Sequence, residues 1–181
     1  LRKIFPNLLT IFRVLAIPAV VASFYINCGA CAQYVTLLIF IFACVTDFFD
    51  GYLARMWGVQ SRFGRIFDPA ADKLIVLSTF VMLVYTNKIT GIPVLFVIII
   101  MCREVLVSCM REFLIAANIS VPVSEVGKVK TVMQMIATAL LILNYEFIVR
   151  LGEIFLCIAA ILSLHSMCLY TRNAIMETNK K

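Results

Sequence analysis

Six apolar runs of membrane-spanning length divide the chain, separated by short polar or turn-forming clusters. The first extends from about Asn7 to Ile26 and opens on Pro6, which suits a first helical turn. The second covers about Gln33 to Arg55, the third Asp68 to Tyr85, and the fourth Ile92 to Ile115. The fifth starts near Glu125, outside the apolar zone, and ends near Tyr145; the sixth covers Phe147 to Tyr170. This pattern predicts an all-α integral membrane protein with six transmembrane helices. No polar, Pro- or Gly-rich linker breaks the sequence, so residues 1–181 read as one domain. The first run has no signal-peptide cleavage pattern and reads as a retained span.

Composition reinforces the pattern. Of the 181 residues, 63% are apolar and 14% charged, with a mean hydropathy of +1.02. A soluble domain would be nearer half apolar, with about a quarter of its residues charged. The net charge of +6 does not indicate nucleic acid, because the basic residues sit at the ends of apolar runs rather than on one face. Six spans put both termini on one side. That side carries Arg2, Lys3, Arg55, Arg62, Arg65, Arg111, Lys128, Lys130, Arg172, Lys180 and Lys181, whereas the opposite turns carry Lys88 and Arg150. The termini and the loops 56–67 and 116–125 are therefore expected in the cytoplasm. The seven cysteines lie scattered in apolar segments and read as small buried hydrophobes.

Four aspartates change the picture from a membrane bundle to one with chemistry. Asp47 and Asp50 are three residues apart near the cytoplasmic end of the second run, and Asp68 and Asp72 are four apart at the start of the third. Each pair shares one helical face, and a short loop joins the two helices. An ionised Asp at a helix centre costs about 2.5–3.5 kcal/mol to insert, so four unpaired near mid-membrane would cost on the order of 10 kcal/mol. Such a cluster needs cations or water. Hard oxygen ligands suit Mg²⁺ or Mn²⁺, and two ions can share four carboxylates. Gly51 and Ala54 leave room for a ligand or metal near the backbone, or simply pack helices. Arg55 is a fixed cation placed to bind phosphate, and Gly64 is expected to let the loop bend.

The stretch reads D-x2-D-G-x2-A-R-x8-G-x3-D-x3-D from Asp47 to Asp72. It resembles the signature of the CDP-alcohol phosphatidyltransferases, with every fixed position filled, and the resemblance extends over nearly the whole chain. It implies that Asp47, Asp50 and Asp68 bind two Mg²⁺ or Mn²⁺ ions. Asp72 would bind the second ion and take the proton of the attacking hydroxyl. Gly51, Ala54, Arg55, Ser61 and Gly64 would line a CDP-lipid site. The N-terminal Asn7, Thr10 and Arg13 resemble the family's first segment; they step by three and can face one cavity, although Thr10 also suits a cap or a back-bonded hydroxyl. The family further implies a homodimer in the bacterial inner membrane, multi-pass, with its active site on the cytoplasmic side.

The acceptor alcohol is read from the fourth and fifth runs. Arg103 and Glu104 lie deep in an apolar stretch; adjacent helical residues point about 100° apart, so they are not expected to pair directly. Glu104, Ser108 and Arg111 share a face. Gly127, Lys128, Val129, Lys130 and Thr131 open the fifth run, with Gln134 one turn on. Arg103, Arg111, Lys128 and Lys130 form a candidate pocket for an anionic acceptor; positive-inside anchoring is the alternative for the two lysines, which lie about 200° apart on an ideal helix. These stretches resemble family members that join CDP-diacylglycerol to sn-glycerol 3-phosphate. Relatives using inositol phosphate or phosphatidylglycerol share parts of them. A divalent-metal or proton-coupled transporter is the competing class. His165 reads as a polar residue of the last span.

Overall fold

The computed structural model describes residues 15–26, 30–57, 62–117 and 125–178, with side chains described for 15–26, 31–46, 73–115, 117 and 126–177. Among them there are helices and turns, and no strand. Residues 15–23 form α1. The others are α2 (Ala30–Trp57), α3 (Arg62–Tyr85), α4 (Pro93–Ala116), α5 (Glu125–Leu143) and α6 (Glu146–Thr178).

Three helices carry stretches long and apolar enough to cross a bilayer: Pro93–Ile115, Val126–Leu143 and Glu146–Glu177. The 24 residues of α4 span about 36 Å at 1.5 Å per residue, more than the roughly 30 Å of a hydrocarbon core. Only 28% of the apolar window of α4 is buried inside the protein, so most of its apolar surface faces outward. Leu38, Leu95, Phe113, Phe147 and Ile161 are among the large exposed apolar side chains. That surface is what a lipid solvent requires.

Two helix boundaries differ from expectation. α3 begins at Arg62, so Gly64 lies within its first turn and not in a bending loop. So near the helix end, a glycine escapes much of the roughly 0.5–1 kcal/mol it costs in the middle of a helix. α6 continues beyond Tyr170 to Thr178, carrying Arg172 on a helix that outlasts its apolar stretch. The cysteines also differ. Cys31, Cys102, Cys109 and Cys168 are exposed, and Cys44 and Cys157 are only partly buried. A small apolar thiol meets no penalty on a face solvated by lipid tails.

The core runs along the bundle axis. Phe40 and Ala43 of α2, Ile75, Phe80 and Leu83 of α3, Ile100 of α4, Leu141 of α5, and Leu156 and Ala159 of α6 are all buried in one cluster. Val107 and Leu114 of α4 pack with Tyr170 and Ala174 of α6 in a second. The α5–α6 hairpin is the closest pairing, joined by only Asn144 and Tyr145, with Asn144 in the left-handed region at φ 54°. Gly152 makes this approach possible: a Cβ there would lie 2.8 Å from Leu141 Cγ and 3.3 Å from Leu140 Cβ. Gly152→Val is therefore expected to destabilise by about 1–3 kcal/mol, through overpacking, and to lower the thermal midpoint in detergent.

One end of the bundle is closed by the α3–α4 turn. Asn87, at φ 56°, ends α3 in a Schellman arrangement, with Lys88 N donating to Leu83 O (2.9 Å) and Asn87 N to Val84 O (3.0 Å). Lys88 Nζ then donates to Ile142 O at 2.7 Å, satisfying a terminal carbonyl of α5, and lies 5.8 Å from the centroid of the Phe24 ring. Burial holds this ammonium below its ordinary pKa. Exposed Tyr25, Tyr34, Tyr85 and Tyr145 ring the same end; the Tyr34 and Tyr145 hydroxyls are 2.8 Å apart. Aromatic residues gathered in this way fit a membrane–water interface. Lys88→Met is expected to cost about 1 kcal/mol for the lost hydrogen bond and to loosen amide-exchange protection at the last turn of α5.

Candidate functional site

The helices alternate in direction, so the end opposite the tyrosines collects the C-terminal parts of α2, α4 and α6 and the N-terminal parts of α3 and α5. Asp47, Asp50, Gly51, Ala54 and Arg55 are on helical backbone in α2, and Gly64, Asp68 and Asp72 on helical backbone in α3. The helix therefore keeps both aspartate pairs in the one-turn register read from the sequence. Four hard oxygen donors in two such pairs fit one or two divalent cations. The side chains of these residues lie outside those described, as do Asn7, Thr10, Arg13 and Ser61 altogether. Among the described residues no group of three or more His, Cys, Asp or Glu forms a metal site.

Beside these helix segments is a cavity of about 480 Å³. Cys44 of α2, three residues before Asp47, and Lys73 of α3, the residue after Asp72, both line it. So do all four basic residues expected at an acceptor pocket: Arg103, Arg111, Lys128 and Lys130. Val107, Val132, Met135 and Tyr170 give it an apolar wall. Glu104 lies near the middle of α4, about 16 Å along the axis from Pro93, so the cavity reaches well into the bundle.

Its floor is an ionic cluster built on Glu104, which is 6% exposed. Lys130 Nζ donates to Glu104 Oε1, and Arg103 Nη1 donates to the same oxygen at 3.2 Å. Lys73 Nζ is 3.7 Å from Oε2 and donates to Ser108 Oγ, which in turn donates to the Glu104 carbonyl at 2.7 Å. Arg103 also ties α4 to α6, through Nε to Ser163 O (3.3 Å) and Nη2 to Ser166 Oγ (2.9 Å). Gln134 Nε2 reaches Ser163 Oγ at 3.4 Å. Three cations from three helices thus share one carboxylate, which a buried charge cluster needs in order to persist.

Two expectations are corrected or refined by this geometry. Arg103 and Glu104 do pair, although they are adjacent and α4 runs unbroken through them. Their stems diverge at Cβ, but both are long, and exclusion of water turns the charged tips toward each other. The divergence of Lys128 and Lys130 has the consequence expected of a helix: Lys130 is buried against Glu104, whereas Lys128 is exposed on the cavity wall. His165 is exposed.

Lys73, Ser163 and Ser166 were not singled out in the sequence. Lys73 had a legible signal, since an ammonium entering an apolar run carries the same insertion cost that marked Arg103. The two serines had none. Their significance comes from Arg103, some sixty positions away in the chain.

A sequence profile of the CDP-alcohol phosphatidyltransferase family matches residues 3–165. The chain belongs to that family. The match covers α1 to α5, the first part of α6 and both aspartate pairs. Among relatives, the Rickettsia felis protein named CDP-diacylglycerol–glycerol-3-phosphate 3-phosphatidyltransferase is 44% identical over 167 residues, covering 90% of each chain. A protein of the same name from Salmonella choleraesuis is 41% identical over 170 residues, 91% of each chain. The Cereibacter sphaeroides protein of that name is 44% identical over 139 residues, 77% of this chain and 63% of its own. The first two of these matches cover nine-tenths of this chain.

Proposed function

We propose that this chain transfers the phosphatidyl group of CDP-diacylglycerol to sn-glycerol 3-phosphate, giving phosphatidylglycerophosphate and CMP. Membership of the family gives the reaction class, and the names of its relatives give both substrates. The observation that carries the acceptor is the cavity: Lys73, Arg111 and Lys128 stand on its walls beside the helix segments that bear the aspartates. An acceptor with a phosphate suits such a site better than a neutral alcohol.

In this reading Asp47, Asp50, Asp68 and Asp72 hold two Mg²⁺ or Mn²⁺ ions, which supply charge neutralisation at the pyrophosphate and lower the pKa of the acceptor hydroxyl. Gly51, Ala54, Arg55, Ser61 and Gly64, with Asn7, Thr10 and Arg13, bind the CDP-lipid. The cationic cavity orients the acceptor by its phosphate. Asp72 takes the proton as the hydroxyl oxygen attacks the phosphorus that carries diacylglycerol. The bond from that phosphorus to the bridging oxygen breaks, and CMP leaves with the electron pair. Since Asp is a weak base by its reference pKa, removal of the proton depends on activation of the hydroxyl.

The same reading places six spans in the bacterial inner membrane as one domain, termini and active site on the cytoplasmic side, in a homodimer. Basic residues gathered at the cavity end support that orientation. The test is an acceptor panel: CMP release from CDP-diacylglycerol with glycerol 3-phosphate, inositol phosphate, serine and phosphatidylglycerol in one assay. Release is expected with glycerol 3-phosphate and Mg²⁺ or Mn²⁺. Turnover with inositol phosphate alone would replace the acceptor, and turnover with none would reject the reaction.

A further inference from the structure

We infer that Lys73 is an acceptor-phosphate ligand, presented by the same helix that carries Asp68 and Asp72; the inference rests on the proposed transfer reaction. Of the cations gathered on Glu104, two are already committed. Arg103 donates to Glu104, to Ser163 O and to Ser166 Oγ, and its side chain is 8% exposed. Lys130 is bonded to Glu104 and its side chain is 4% exposed. All three line the cavity, but Lys73 differs in exposure and in distance: its side chain is 29% exposed, and it stands farther from the carboxylate, at 3.7 Å.

Its attachments aim it. Ser108 Oγ accepts from Lys73 Nζ while donating its own proton to the Glu104 carbonyl, so the hydroxyl is fixed as an acceptor. An ammonium has three donors. Among the described residues one goes to Ser108 and one faces Glu104, which leaves a third for an oxyanion in the cavity. Glu104 thereby acts as a counter-charge that keeps Lys73 extended across the gap between α3 and α4, and does not saturate it.

Position in the chain gives the contact its meaning. Consecutive Cα atoms are about 3.8 Å apart, so Lys73 and Asp72 leave α3 from neighbouring points on a rigid helix. Arg111 and Lys128 approach from α4 and α5. Of these three, only Lys73 refers the acceptor's phosphate to the helix that carries the proposed base. A phosphate seated on Lys73 fixes how far the acceptor's hydroxyl extends toward the aspartates, which selects a short phosphorylated alcohol.

Steady-state kinetics of the full chain in mixed micelles of CDP-diacylglycerol test this with Lys73→Gln and Lys73→Arg. Lys73→Gln is expected to raise KM for glycerol 3-phosphate by about ten- to a hundredfold, as for loss of one charge-assisted hydrogen bond. KM for CDP-diacylglycerol should stay within about twofold, as uniform binding of one substrate predicts. Lys73→Arg should recover most of the loss. An unchanged acceptor KM, or an equal rise for both substrates, overturns the inference. If Lys73→Gln does not fold, Ser108→Ala decides: it keeps the charge, releases its anchor, and should raise the acceptor KM selectively. No change there overturns the inference as well. Failure of the unaltered protein to release CMP with glycerol 3-phosphate would instead reject the underlying reaction, so the two failures are distinguishable.

Discussion

Asp72→Asn is expected to slow CMP release by about 100- to 10,000-fold, the range for loss of a positioned general base. The substitution preserves volume and the helical register of α3, so the thermal midpoint should hold while turnover collapses. On the proposed clustering of the four aspartates, removing one negative charge also relieves repulsion in the metal-free protein, and a small gain in stability there is the accompanying signature. Excess Mg²⁺ separates two causes. If Asp72 acts only as a metal ligand, a high metal concentration restores much of the rate; if it also takes the proton, it does not. Turnover within tenfold of the unaltered protein would remove Asp72 from the role of base.

Glu104→Leu is expected to have the largest effect on stability. It leaves Lys130 and Arg103 buried without their shared carboxylate and deprives Lys73 of its counter-charge. Breaking a buried ionic cluster by removing one partner costs about 3–5 kcal/mol, because the orphaned charges have lost their solvation and gained nothing. The midpoint of unfolding in detergent reads this directly. Glu104→Leu combined with Lys130→Met should recover part of the loss, since the cation with the least access to solvent is removed along with the anion. Equal stability of Glu104→Leu and the unaltered chain would show that water reaches the cluster freely.

Much of the fold was readable because a membrane leaves the chain few options. Backbone groups in lipid must satisfy one another, so apolar runs of that length become helices, and α4, α5 and α6 begin within a residue of their expected starts. The boundaries that moved are those where apolarity stops short of the helix. The N-terminal turns of α3 and the C-terminal turns of α6 are helical while carrying polar residues, and hydropathy does not register them. The exposure of the cysteines is not legible in the sequence, because burial in a core and exposure to lipid call for the same apolar residue.

The basic residues show where sequence reasoning stops. Helical spacing separated Lys128 from Lys130 and put Glu104, Ser108 and Arg111 on one face. It could not assign Lys130 to Glu104, because that contact joins residues on different helices. It also denied the Arg103–Glu104 pair, since angular offset at Cβ says little about the tips of two long side chains.

By itself, the sequence determined the membrane class, the helices and the aspartate register, all of which follow from local spacing and the cost of polar groups in lipid. The family signature is likewise contained within one short stretch. Only the tertiary structure decided that Lys130 is buried against Glu104 while Lys73 keeps 29% of its side chain exposed at the cavity. That division depends on how α3, α4, α5 and α6 pack: it is set by exclusion of water at their meeting point, which no single helix encodes.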